Sequence, residues 1–253
     1  MARVFDTTVR DGVLRAARPD TRWLSSGVDG GRTRADAAYN ITVPEGWTET
    51  DPAAYAVQRI ATAGFDADGP ALLTGVAQRH ARRAVCGPVA AIVTAGVSNP
   101  AVLPPRDASD ITHDFDAAAA DTAATGDAEF RPGTINILLG TTRALDPGAL
   151  TNLLAVAVEA KTATLTRETG FSGTTSDAVV VGSDPAGEPA AFTGSATTVG
   201  RAARACVRDA LTAALAARYS DGEIPDSVAD ADYGTVTTET ATVSNPAATD
   251  DAD

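Results

Sequence analysis

Five short segments rich in glycine, hydroxyl and carboxamide side chains interrupt the apolar runs of this chain, each at an end of a run. They are WLSSGVDGG (Trp23 to Gly31), LLTGV (Leu72 to Val76), VTAGVSN (Val93 to Asn99), GTINILL (Gly133 to Leu139) and SGTTSDAVVV (Ser172 to Val181). Apolar runs this short, closed by turn residues, read as strands, and their small polar ends belong to the rim of a sheet.

Residues 3 to 43 alternate apolar and polar positions, as at Val4-Phe5, Val13-Leu14, Trp23-Leu24 and Ile41-Val43, which predicts an antiparallel start of three or four strands. A helix is expected from Pro52 to Ala63, with Asp51 as N-cap and Gly64 ending it. Strands then fit Ala71 to Val76, Arg83 to Val97 with a break at Gly87-Pro88, and Thr134 to Gly140. Asp146-Pro147 opens a long helix that Gly170 closes. At roughly 100° per residue it puts Leu150, Leu154, Ala157, Lys161 and Leu165 on one face. A strand from Ala178 to Val181 follows. The last helix runs from about Val199 to Tyr219, with Val199, Ala203, Cys206, Val207, Ala210, Leu211 and Ala214 inward. Strands and helices do not alternate regularly enough for a doubly wound parallel sheet, so the expected class is α+β: a mixed, mostly antiparallel sheet covered by long helices. One domain is expected over 1–219, with an acidic, alanine-rich loop insertion at about 104–131 and an acidic, disordered tail over 220–253.

Charge narrows the range of partners. The formal net charge is -13, and Lys161 is the sole lysine among 20 basic residues. Nucleic acid and anionic membrane surfaces need clustered positive charge, so neither is an expected partner. The composition resembles that of proteins from extreme halophiles, whose dense carboxylates hold water and counter-ions in concentrated salt. Stability is therefore expected to rise with salt; a melting temperature that stays flat from low to multimolar KCl contradicts this. No apolar run approaches the roughly 20 residues of a membrane helix, and no basic segment with an apolar core opens the sequence, so a cytoplasmic location is expected. Cys86 and Cys206 show no metal-ligand spacing; Cys206 falls on the apolar face of the last helix and reads as core. No metal site and no resident cofactor are expected.

The motifs GxSxG, HExxH and Walker A are absent, and the chemistry must come from the five segments. In GTINI, Thr134 and Asn136 share one face of a strand. Asparagine is disfavoured inside a strand unless its amide is put to use, and Asn136 either pairs with a loop backbone or offers donor and acceptor together to a carboxamide-rich substrate. VTAGVSN ends a buried strand and presents Ser98 and Asn99. SSGVDGG supplies Ser25, Ser26, Gly30 and Gly31, as turn devices or as ligand contacts. SGTTSD gathers Thr174, Thr175, Ser176 and Asp177 before a strand, where hydroxyls beside a carboxylate can form a nucleophile and base; alternatively Asp177 accepts backbone N–H bonds. Lys161 lies within an apolar stripe, where an unpaired ammonium is costly. Glu159 is two residues away and faces the other side, so Lys161 needs another acid, and Asp177 is the named partner; otherwise Lys161 snorkels to the surface. Asp177, Lys161 and Glu159 are thus the candidate catalytic groups. His113 is read as an incidental loop residue.

In order and spacing, these segments resemble the adenosylcobinamide amidohydrolases. The runs PGTINILL, VEAKTATL, SGTTSDAVVV and FTGSATTVG look like the second half of such an enzyme, and WLSSGVDGG, LLTGV and VTAGVSN like the first. The resemblance covers roughly 3–218 and departs from the family at the acidic insertion. It implies hydrolysis of the amide joining the aminopropanol arm to the corrin ring of adenosylcobinamide, giving adenosylcobyric acid for coenzyme B12 synthesis. The cobalt belongs to this corrinoid substrate. A homo-oligomer is compatible with the sequence. The competing reading is a corrinoid carrier, for which His80 is the weak cobalt-ligand candidate.

Overall fold

The computed structural model describes residues 3–66, 68–104, 135–239, 241–243 and 245. Strand β1 (Asp6–Arg10) turns at Asp11-Gly12 into β2 (Val13–Ser25), with φ of 46° and 76° at the two turn residues. Positive φ at both positions is the twist a two-residue hairpin requires, and Asp-Gly meets it cheaply. β2 pairs antiparallel with β3 (Gly31–Thr42), so the expected antiparallel opening is present as three strands.

Helix α1 (Pro52–Thr62) starts where expected: the Asp51 side chain accepts from the Ala54 N–H, and Pro52 occupies the first turn. β4 (Ala71–Thr74) then pairs parallel with β3. The interrupted strand is a hairpin of β5 (Arg82–Cys86) and β6 (Val89–Ala95), turning at Gly87-Pro88. After β7 (Pro100–Val102) comes β8 (Ile135–Leu145), then α2 (Pro147–Thr169), which Gly170 closes in the left-handed conformation at φ 79°. β9 (Gly173–Thr174) and β10 (Ala178–Ala190) precede α3 (Thr198–Arg218), and β11 (Thr235–Val236) is last.

The main sheet has the order β4-β3-β2-β10-β8-β6-β5, with β1 added beside β2. Within it β3/β4 and β8/β10 are the parallel pairs and the rest are antiparallel, which is the expected α+β, mixed, mostly antiparallel architecture. A second sheet of order β11-β7-β9 stands at its side.

Three apolar cores follow from the alternation of side chains. One face of β6, β8 and β10 buries against α2 and α3, and every residue expected inward on α3 is buried. The outer face of β3 and β4 packs against α1. The third core lies on the concave face of the sheet, around Phe5, Trp23, Leu72, Ile92, Leu138 and Val180. Phe5 and Trp23 stack with centroids 5.7 Å apart, over the paired glycines Gly140 of β8 and Gly182 of β10. A Cβ on Gly140 would overlap the Phe5 ring, and one on Gly182 the Trp23 ring, so the sheet is bare where the two largest side chains lie flat.

Two expectations need revision. β10 continues well past Val181, to Ala190, through a register shift between Ser183 and Glu188. The tail expected to be disordered from residue 220 instead returns to the body: Ile224 and Val228 pack on the main core, Tyr233 N–H bonds Ser98 O (2.9 Å), and β11 pairs parallel with β7. Partial burial of two aliphatic side chains and ladder hydrogen bonds to β7 offset the acidic composition that suggested otherwise. The insertion expected at 104–131 and His113 lie outside the described residues, apart from Pro104. No helix among the described residues is long and apolar enough to cross a membrane.

Candidate active site

The loop between α2 and β10 gathers the polar segments. Lys161 comes from the middle of α2 and is 6% exposed, as its position in the apolar stripe predicts. Its ammonium donates to Asp177 Oδ2. The same oxygen accepts the Thr174 backbone N–H at 3.1 Å, and the Thr174 hydroxyl donates to Oδ1. Gly173 closes over the pair: a Cβ there would stand 3.3 Å from Asp177 Oδ2 and 3.6 Å from Lys161 Nζ. The side chains of Lys161 and Asp177 are 8% and 11% exposed, so each charge is stable here only because the other is present. A carboxylate has about four acceptor positions, and three are used, so Asp177 retains room for the proton of a water or of a substrate.

Asn99, at the start of β7, joins this group from the other side. Its amide donates to Thr175 Oγ1 (2.6 Å) and Ser176 Oγ (3.4 Å), while Thr175 N–H donates to its backbone carbonyl (3.1 Å). Pro100 pairs with Thr174 across β7 and β9. The exposed Thr175 and the half-buried Ser176 form the rim of the site, and Asn99, 3% exposed, supports them from beneath beside the Lys161–Asp177–Thr174 group.

Ser26 belongs to the same neighbourhood through Val179, donating to its carbonyl (3.3 Å) and accepting its N–H (2.9 Å). These bonds stitch the β2–β3 turn to the first residues of β10. Ser25 is buried and caps the turn by accepting Gly27 N–H at 3.0 Å. Gly30 has no space for a side chain, since a Cβ would lie 2.7 Å from Ser25 O, and Gly31 has φ 113°. Ser25 is thus a turn device, and the exposed Ser26, Gly30 and Gly31 form the wall of this neighbourhood, with one acceptor position left on the Ser26 hydroxyl.

Asn136 is opposite Ala178 in the β8–β10 ladder, one residue from Asp177, but it is 1% exposed. Its Nδ2 donates to Asn40 Oδ1 (2.8 Å) and to Leu73 O of β4 (2.9 Å), so its donors are used within the sheet rather than by a loop backbone, while its buried Oδ1 has no hydrogen-bond partner among the described residues. Both neighbours are acceptors on that side, which fixes the amide orientation. Asn40 passes the chain on to Thr94 Oγ1 (2.9 Å), and Gln78 donates to Thr42 Oγ1 (3.1 Å), which donates to Val76 O (3.0 Å). This buried network joins β8 to β3, β4 and β6 and holds the strand beside which β10 begins.

Glu159 is not part of the site. Two residues along a helix turn a side chain by roughly 200°, so Glu159 points to solvent and pairs with Arg204 of α3. Thr134 lies outside the described residues. Asn40, Thr94 and Gln78 do not stand out in the sequence as site residues, although Asn40 in AAYNITV carries the same signal as Asn136, an asparagine inside an apolar strand.

His80, the candidate of the carrier reading, has its Nδ1 2.8 Å from Ala217 O of α3. Burial pushes the Cys206 thiol up to about 12, so it stays protonated as core packing, whereas Cys86 is exposed on β5. Neither sulfur touches the Lys161–Asp177 group. Cys86→Ser is expected to leave turnover within about twofold of the unmodified chain, because an exposed strand position away from the reacting groups adds little; a loss of activity measured in the same salt would place Cys86 in the reaction.

Comparison with known proteins bears on the family rather than on the site geometry. The family model for adenosylcobinamide amidohydrolase matches residues 2–223. A protein of Halobacterium salinarum named adenosylcobinamide amidohydrolase is 53% identical over 245 residues, covering 96% of this chain and 100% of the relative. One of the same name from Methanosarcina mazei is 29% identical over 163 residues, covering 64% of this chain and 69% of the relative. No solved structure matches this chain.

Proposed function

The chain belongs to the adenosylcobinamide amidohydrolase family, and from that premise we propose that it hydrolyses the amide between the aminopropanol arm and the corrin ring of adenosylcobinamide. Water is consumed, the C–N bond breaks, and adenosylcobyric acid and the free aminoalcohol are released. The acid product then re-enters coenzyme B12 assembly, in salvage of an incomplete corrinoid.

The observation that carries this reading is the buried Lys161–Asp177–Thr174 group beneath a rim of hydroxyl side chains. Amide hydrolysis needs a base for the nucleophile, a cation or N–H near the developing oxyanion, and a proton for the departing amine. Asp177, with the Thr174 hydroxyl donating to it, takes the proton of a water, which attacks the amide carbonyl carbon; if the Thr174 hydroxyl attacks instead, the ester formed as the amine leaves is cleaved by a water that Asp177 deprotonates in the same way. Lys161, held beside Asp177, supplies the positive charge for the tetrahedral oxyanion. The proton gained by Asp177 then passes to the amine as the C–N bond breaks. The hydroxyls of Thr175 and Ser176, positioned by Asn99 beneath them, offer both donors and acceptors, which suits the carboxamide rim of a corrin.

The test is direct. The purified chain is incubated with adenosylcobinamide in concentrated KCl and the corrinoid is weighed by mass spectrometry. Loss of the aminopropanol arm is the expected result. Tight binding with no change of mass would make the protein a corrinoid carrier instead.

A further inference from the structure

Between α2 and α3 lies an open recess of about 330 Å³ whose lining includes Arg167, Arg201, Arg204 and Arg208 together with Thr164 and Ser195. Arg201, Arg204 and Arg208 follow the three- and four-residue spacing that puts side chains on one helix face, and Arg167 meets them from the last turn of α2. The lining contains no carboxylate. In a chain of net charge -13, four guanidinium groups face one hollow, with Glu159, Glu168 and Asp209 paired to three of them at its edges.

The partners of these arginines do not account for the cluster. Arg167 and Arg208 each touch the acid next to them in sequence, Glu168 and Asp209, in exposed pairs that contribute little. Arg201 donates to the Ala196 carbonyl and has no carboxylate within the described residues. Arg204 alone ties the helices, through Glu159. The first turn of α3 carries Arg201 and forms one end of the recess, where the helix dipole is positive.

We propose that this recess binds a phosphate group, free or as an ester. A carboxylate brings one charge and two oxygens and is satisfied by one or two guanidinium forks. A phosphate brings close to two charges and three terminal oxygens, which several arginines converging from two helices can share. The inference rests on the α2–α3 geometry alone and does not depend on the proposed reaction.

Calorimetric titration of the full chain with inorganic pyrophosphate, at one fixed KCl concentration at which the protein is folded, tests it. The expected result is saturable binding at one site per chain, weakened at least about tenfold by the double variant Arg201→Gln/Arg208→Gln, which spares the Arg204–Glu159 tie. The control is a second recess, lined by Arg22, Arg32 and Arg34 on β2 and β3, which reports any general attraction of the anion to arginine. Arg22→Gln/Arg34→Gln leaves the titration unchanged. No saturable heat, or equal binding by the Arg201→Gln/Arg208→Gln variant with an unchanged melting curve, overturns the proposal. Competition by a corrinoid with a phosphorylated arm would identify the substrate as the source of the phosphate. Binding that such a corrinoid does not displace would identify a separate phosphate compound.

Discussion

Asp177→Asn is expected to lower kcat by on the order of 10³- to 10⁴-fold in a chain that still folds, with a lower Tm because the Lys161 ammonium loses its counter-charge. The carboxamide has the shape of the carboxylate. Its oxygen can face Lys161 and the Thr174 N–H, and its NH₂ can face the Thr174 hydroxyl, which rotates to accept. What is lost is the ability to take a proton. Steady-state turnover of adenosylcobinamide, with a melting curve in the same buffer, separates the two effects. Turnover within tenfold of the unmodified chain would remove Asp177 from the mechanism and leave it as a structural partner of Lys161.

The second large effect is on stability. Lys161→Ala leaves the Asp177 carboxylate buried beside no cation, and breaking a buried ion pair from one side costs about 3–5 kcal/mol. For a chain of this size that corresponds to a fall in Tm of roughly 6–20 °C. Because the pair is nearly dry, salt screens it weakly, so the deficit should persist in concentrated KCl, unlike that of the surface pairs. Replacing both groups by apolar ones of similar volume, Lys161→Met with Asp177→Leu, should restore part of the melting temperature without restoring turnover, the remainder being lost because the Thr174 N–H and hydroxyl no longer have Asp177 as acceptor. A single variant as stable as the original would show that the ammonium is not held by Asp177.

Much of this is visible in the sequence, for identifiable reasons. Helix ends are marked by Asp51-Pro52, Asp146-Pro147 and Gly170, each a local stereochemical device that acts wherever the chain goes. The hairpin at Gly87-Pro88 is equally local. The Lys161–Asp177 pair can be inferred because a single buried ammonium demands an acid and the helix geometry rules out Glu159. Less can be read where structure depends on distant partners. β7, β9 and β11 are two or three residues long, too short for any periodicity, and form only because β7 lies between the other two. Asn136 resembles a substrate contact because nothing in the sequence shows that the main sheet bends far enough to set β4 and Asn40 against it. The return of the tail depends on two aliphatic residues, Ile224 and Val228, in a stretch whose composition suggests solvation.

The central claim is that the amide is cleaved at the start of β10, over Asp177 and Thr174. A crystal structure of the Asp177→Asn variant soaked with adenosylcobinamide tests it most directly, since the slow variant retains its substrate. The expected result is the corrin against Thr175 and Ser176, with the carbonyl carbon of the aminopropanol amide about 3–4 Å from the Thr174 hydroxyl or from a water held by residue 177. A corrin bound elsewhere, with that amide remote from the Lys161 ammonium, would contradict it.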